Sequence, residues 1–156
     1  NLVESDEQFV ESESIEPGDR VVVVDSPVGR LGLSVCYDLR FPELFRRMTG
    51  DGAEVIALPS AFTAVTGKAH WEVLVRARAI ENLCYVIASA QGGYHANGRE
   101  THGDSMIVDP WGSIADRLPR GSGVVSAEID RARLSDIRRT FPALSHCRIS
   151  CDMSDK

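Results

Sequence analysis

The sequence predicts an α/β fold, and three features point there. Short β-branched apolar runs recur along the 156 residues, segments of helical periodicity separate several of them, and glycine- and proline-bearing turns mark the joints. Apolar residues at 43% and charged residues at 26% fit one globular unit with a sizeable core, and exclude collagenous, disordered and membrane-spanning chains.

The elements follow in order. Residues 1–20 read as an acidic lead-in arm, exposed to solvent, because seven acids and no base precede Arg20 and a Pro17-Gly18 turn closes the stretch. The runs 21–25 and 30–35 read as adjacent strands joined through Ser26-Pro27-Val28-Gly29. Pro42 opens a short helix to 48, since its missing N–H is harmless in a first turn, and Gly50 and Gly52 follow the end. EVIALP at 54–59 is a buried strand. Over 70–83, Trp71, Leu74, Val75, Ala77 and Ile80 recur at helical spacing, and Glu72 can pair with Arg76 at i,i+4. A strand is predicted at 84–90, then a Gly-, Asn- and His-rich loop at 91–103. Strands at 104–109 and 113–118 flank the turn Pro110-Trp111-Gly112, a further strand covers 124–129, and Asp130 caps a helix to 141. The crossover helices must cover a sheet, one face of which has no evident partner. Residues 21–148 form one unit and 149–156 a polar tail.

Seventeen basic against twenty-three acidic residues give a net charge of -6, which excludes a broad electrostatic footprint for nucleic acid or anionic lipid. A small-molecule or protein partner is expected. The cysteines at 36, 84, 147 and 151 form neither a disulfide framework nor a paired zinc pattern, so a reducing, cytoplasmic compartment is expected. No leader pattern opens the chain and no apolar run approaches the ~18–20 residues of a membrane span. The chain starts at Asn1 rather than Met, which is compatible with processing or an upstream segment.

Cys36 stands where the strand 30–35 gives way to the polar Tyr37-Asp38-Leu39-Arg40, just ahead of the Pro42 helix. Such a junction can present a sulfur beside free backbone N–H groups able to stabilise an oxyanion. The alternative is a small buried apolar side chain.

The stretch Cys36-Tyr37-Asp38-Leu39-Arg40-Phe41-Pro42-Glu43-Leu44, preceded by Gly32-Leu33-Ser34-Val35, resembles the cysteine motif of the nitrilase superfamily of carbon–nitrogen hydrolases. Further segments resemble the same family in the same order: Pro59-Ser60-Ala61-Phe62-Thr63, Thr66-Gly67, His70 to Leu74, Arg76 to Asn82, and Ser105 to Gly112. Residues 9–148 are covered, and the likeness is greatest to the Nit1-like branch, whose members hydrolyse deaminated glutathione, an α-keto acid amide. The resemblance implies part of a four-layer α-β-β-α sandwich, a thioester mechanism, a homodimer or higher homo-oligomer, and no cofactor or metal. It also implies, position by position, Cys36 as nucleophile, the Tyr37 backbone N–H as oxyanion donor, Glu11 as the family's second glutamate, and Arg40, Phe62 and Thr63 as substrate-binding residues. Arg40 would contact a carboxylate.

Each assignment has a plainer counterpart. Glu11 would be one more charge on an acidic arm, Arg40 the partner of Asp38 or Glu43, Phe62 core packing and Thr63 a turn hydroxyl. The family's first glutamate and its lysine lie upstream of Glu11, so the chain resembles the C-terminal portion of a subunit and would need an N-terminal half carrying both. Lys68 lies where the family has no catalytic lysine. A non-catalytic, partner-binding half is the second reading.

Glu72, Arg76 and Arg78 are expected as helix salt bridges and dimer-surface charges, Cys84 as core, and Arg131, Arg133, Arg138 and Arg139 as a solvated stripe. His146, Cys147, Cys151 and Asp152 match no structural zinc spacing. A dyad of Cys36 with His70, His95 or His102 has no local signature. Where many relatives carry Tyr or Trp, Gly, His before Ser105, this chain has His102-Gly103-Asp104.

Overall fold

The computed structural model describes the backbone of residues 2–4 and 7–9 and, in full, residues 13, 15–96 and 98–149. The elements are β1 (Leu2–Glu4), β2 (Glu7–Phe9), β3 (Val23–Ser26), β4 (Gly29–Leu33), a 3-10 turn (Cys36–Arg40), α1 (Pro42–Gly50), β5 (Val55–Ser60), α2 (Ala64–Asn82), β6 (Tyr85–Ala90), β7 (Gly92–Tyr94), β8 (Glu100–His102), β9 (Ser105–Val108), β10 (Ile114–Leu118), α3 (Arg131–Thr140) and a closing 3-10 turn (Ala143–His146). A six-stranded sheet runs β10-β9-β6-β5-β4-β3. Its centre, β4-β5-β6, is parallel and its flanks are antiparallel.

Side chains alternate across this sheet in cross-strand rows. Gly32, Ile56, Val86 and Val108 form one row, and Leu58, Ala88 and Met106 the next on the same face. Against them α1 packs Phe45 and Met48, and α2 packs Trp71, Val75 and Ala79, all fully buried. On the opposite face, Leu31, Val55 and Tyr85 lie under Leu134 of α3. The neighbouring row there is Leu33, Ala57, Ile87 and Ile107, and nothing among the described residues covers its Leu33 end, which is 45% exposed.

Several elements differ from the sequence reading. The first helix continues to Gly50, and the second starts at Ala64, six residues before the periodicity becomes visible. Thr63 caps it, accepting from the Thr66 N–H at 3.4 Å. Gly67 hides the first turn by lowering helical propensity, yet it is required: a Cβ there would lie 2.2 Å from the His102 Cβ. The loop at 91–103 contains the antiparallel pair β7–β8, and the lead-in contains the pair β1–β2. The expected strand at 124–129 is absent: the segment pairs with no neighbouring strand and leads into α3, with Val124 90% exposed.

The arginine stripe on α3 is largely the solvated face expected, with Arg131, Arg133 and Arg139 exposed, but three of its four members also bond to other parts of the fold. Arg131 pairs with Glu54 at 3.2 Å, Arg133 with Asp109 at 2.8 Å, and Arg138 donates to the carbonyls of Leu83 and Ala53 at 2.9 and 2.8 Å. Arg139 pairs with Asp136 on the same helix. With one fully buried apolar anchor, Leu134, the helix is strapped to the sheet by polar clasps instead. Asp130 does cap it, accepting from the Arg133 N–H at 2.8 Å. No described helix is long and apolar enough to cross a membrane.

Candidate active site

Parallel strands deliver chemistry at their carboxyl ends, and here β4 and β5 end close to one another. Ser34 ties the end of β4 to β5: its N–H and its Oγ both donate to the Ala57 carbonyl, at 3.1 and 2.9 Å. Cys36 follows with φ +42°, in the left-handed region. That conformation costs an L-residue about 1–2 kcal/mol, and a two-sided clamp holds it. The Val35 N–H donates to Asp38 Oδ2 at 2.8 Å, while the Asp38 N–H donates to the Val35 carbonyl at 2.9 Å. The free thiol of Cys36 is thus carried, half-buried, on the first residue of the 3-10 turn. The N–H groups of Cys36 and Tyr37 open that turn, where no carbonyl within it can accept from them.

The rear of the turn is held from α2. Arg78 is buried, its Nε donates to the Leu39 carbonyl at 3.0 Å, its Nη1 pairs with Glu81 at 2.7 Å, and its guanidinium lies 5.4 Å from the centre of the Phe45 ring. The expected surface role for Arg78 is therefore corrected: a buried carbonyl needs a donor, and Arg78 supplies it. Glu72 and Arg76 do form the expected helical pair, at 3.5 Å.

Arg40 ends the turn with its guanidinium between two rings, 5.1 Å from the centre of Phe62 and 5.7 Å from that of Tyr37. Its Nη1 meets His70 Nδ1 at 3.3 Å, and its Nε is shielded from water with no hydrogen-bond partner among the described residues. Asp38, offered by the sequence as a partner, is spent on Val35. Phe62 is buried edge-on against Trp71 at 5.1 Å. Thr63 uses its hydroxyl as the α2 cap and shares a 2.9 Å hydrogen bond with Thr66 Oγ1. Tyr37 is partly exposed and packs edge-on against Phe41 at 5.4 Å. Glu11 lies outside the described residues.

The three histidines considered for a dyad are engaged elsewhere. His70 holds Arg40, His95 Nε2 meets Thr101 Oγ1 at 2.8 Å, and His102 stands 3.9 Å from Asp104. The departure at His102-Gly103-Asp104 has a structural account. Asp104, at φ +71°, receives the Trp71 indole N–H on its carbonyl at 2.7 Å and the Arg117 fork on its carboxylate at 2.6 and 2.8 Å. Arg117 reaches on to Glu72 at 3.0 Å. Cys84 is fully buried core, and burial pushes its thiol up to about 12. No group of three or more His, Cys, Asp or Glu side chains among the described residues could hold a metal ion. Cys151 and Asp152 lie outside them.

Sequence reasoning named His70 and Arg78 without their bonds to Arg40 and to the Leu39 carbonyl, and missed the Asp104–Arg117 pair. A buried indole N–H at Trp71 signals that an acceptor must exist, but not which residue provides it.

A profile of the Carbon-nitrogen hydrolase family matches residues 2–139. The chain is 49% identical over 141 residues to a deaminated glutathione amidase of Yersinia enterocolitica, covering 90% of this chain and 49% of that protein. It is 50% identical over 139 residues to the human deaminated glutathione amidase, covering 88% and 42%. The crystal structure of the Caenorhabditis elegans NitFhit protein superposes with a TM-score of 0.88 at 47% identity, covering 92% of this chain and 35% of that one. The chain thus spans about half the length of the curated amidases it matches.

Proposed function

Since the chain belongs to the carbon–nitrogen hydrolase family, we propose that it carries the nucleophile and part of the substrate pocket of an amidase acting on a linear amide. The substrate we assign is an α-keto acid ω-amide such as deaminated glutathione, after the relatives of that name. The observation that carries this is the conformation of Cys36. A half-buried free thiol at the edge of the core is held at φ +42° by the Val35–Asp38 clamp, and strain of this kind collects at functional turns.

The chemistry follows from the atoms present. Cys36 Sγ, losing its proton to a base, bonds to the amide carbonyl carbon, and the developing oxyanion is met by the Tyr37 N–H. Collapse of the tetrahedral adduct breaks the C–N bond, the amine leaving with a proton, and gives a thioester. Water attacks the thioester, its proton passing to the base, and releases the acid and the free thiol. Arg40 takes the carboxylate of the keto acid against the walls of Phe62 and Tyr37, Thr63 fixes the start of α2 beside it, and Glu11 serves as the family's second glutamate. The base and a lysine for the oxyanion come from an N-terminal half whose sheet packs on the open, Leu33 end of the row of Leu33, Ala57, Ile87 and Ile107. Residues 1–20 are the lead-in to this portion, 21–148 its body and 149–156 its tail.

A second copy is the expected partner. Helix α2 exposes Val65, Val73 and Ile80, and Ile80 lies beside Gly112, next to the exposed Trp111 and Phe141, an apolar surface suited to self-association. Three free thiols among the described residues fit a reducing cytoplasm.

The test is Cys36→Ala in the full-length protein. Hydrolysis of α-keto acid ω-amides should fall by ~10³-fold or more with the far-UV spectrum unchanged. Turnover within a few-fold of the parent refutes the assignment.

A further inference from the structure

We propose that His70 is a positioning residue for substrate recognition: its neutral Nδ1 accepts from Arg40 and fixes the guanidinium in the pose that receives the substrate carboxylate. This rests on the amidase reading and on Arg40 as its anion contact.

A guanidinium has five N–H donors and no acceptor. A hydrogen bond across the 3.3 Å approach of Nη1 to Nδ1 therefore needs Nδ1 as the acceptor. The faces of Phe62 and Tyr37 also lie against Arg40; they hold the plane of the guanidinium and supply no directional bond within that plane. The contact at Nη1 supplies one.

The ring of His70 is exposed, and its backbone is set by its neighbour. His70 precedes Trp71, whose ring is fully buried against Phe62 and whose N–H is fixed on the Asp104 carbonyl at 2.7 Å. The ring that walls Arg40 and the residue that orients it are thus set by one anchor. The Nε–H is shielded from water and has no partner among the described residues, so a ligand meets the guanidinium at its terminal nitrogens. A carboxylate there makes a charge-assisted hydrogen bond to the second of them. Holding Nη1 aims that nitrogen and discriminates between amides with and without a carboxylate.

The experiment compares the full-length parent with His70→Phe, His70→Asn and Arg40→Met on two amides, an α-keto acid ω-amide and its methyl ester. Asn places an oxygen acceptor near the position of Nδ1; Phe keeps the ring and loses the acceptor. His70→Phe should raise KM for the acid about tenfold, with kcat within twofold and little change for the ester. His70→Asn should restore most of the acid's KM. Equal effects of His70→Phe on acid and ester, a loss confined to kcat, or no rescue by Asn each overturn the proposal. If Arg40→Met fails to separate acid from ester, the anion-contact reading itself falls; if it separates them and His70→Phe does not, only the role of His70 falls.

Discussion

The two faces of the central sheet are built on different principles. On one, α1 and α2 bury Phe45, Met48, Trp71, Val75 and Ala79 against two complete cross-strand rows. On the other, α3 contributes Leu134 and a set of arginine clasps over one row, and the next row is open at Leu33. The first face is held by area removed from water, the second by directional polar bonds from the α3 arginines to carboxylates and backbone carbonyls. The candidate site belongs to the first: Phe62 is walled by Trp71, and the turn that carries Cys36 is held by Arg78 from α2.

Four substitutions test this contrast. Trp71→Ala should cost about 3–5 kcal/mol in urea denaturation, as removing a fully buried aromatic does, whereas Leu33→Ser should cost the isolated 156-residue chain no more than ~0.5 kcal/mol. Comparable losses would erase the distinction. Arg78→Met keeps the volume but strands the Leu39 carbonyl and Glu81. It should cost about 2–3 kcal/mol and should lower amide turnover, whereas a surface arginine would do neither. At Cys36, Gly relieves the left-handed strain that Ala keeps, so Cys36→Gly should be about 0.5–1 kcal/mol more stable than Cys36→Ala. Equal stabilities would mean the turn is not strained.

The smallest effect lies under α3. Burial pushes the Glu54 carboxyl up, but the Arg30 N–H and the Arg131 guanidinium outweigh it and hold the group below its ordinary value of 4.5. A carboxylate so lowered contributes stability that is present above the unfolded value and lost as pH falls through the folded one. Glu54→Gln should therefore flatten part of the acid limb of the stability–pH curve below 4.5 while leaving stability at pH 8 only modestly reduced. An unchanged acid limb would show that the clasp is idle.

What could be read from residues alone follows the same divide. The strands at 54–59 and 84–90, the helix around Trp71 and the cap at Asp130 are local: apolar period or a capping oxygen encodes each within a few residues. Cys36 was legible because a strand gives way to polar residues around it. The start of α2 was not, because Gly67 is chosen for a contact with His102, 35 positions downstream. Nor were the tasks of Arg78, Arg138 and His70, since each bonds a group 30 to 85 residues away in the chain. A charged side chain on an amphipathic pattern carries no mark of whether water or a distant carbonyl will receive it. The expected strand at 124–129 failed for a related reason: alternation shows that a segment could pair, and only the three-dimensional arrangement decides whether an edge is free to pair with it.

The fit between Gly67 and His102 has a consequence for anyone who would make this chain hardier. Replacing a helical glycine with alanine is a routine thermostabilising step, worth ~1 kcal/mol at an unobstructed position. Here the added methyl would drive His102 outward, and the His102 N–H, which donates to the Phe62 carbonyl at 2.9 Å, would move with it. A library screened for heat resistance alone should reject that change, and a screen that enriched it would be selecting a displaced wall beside Phe62.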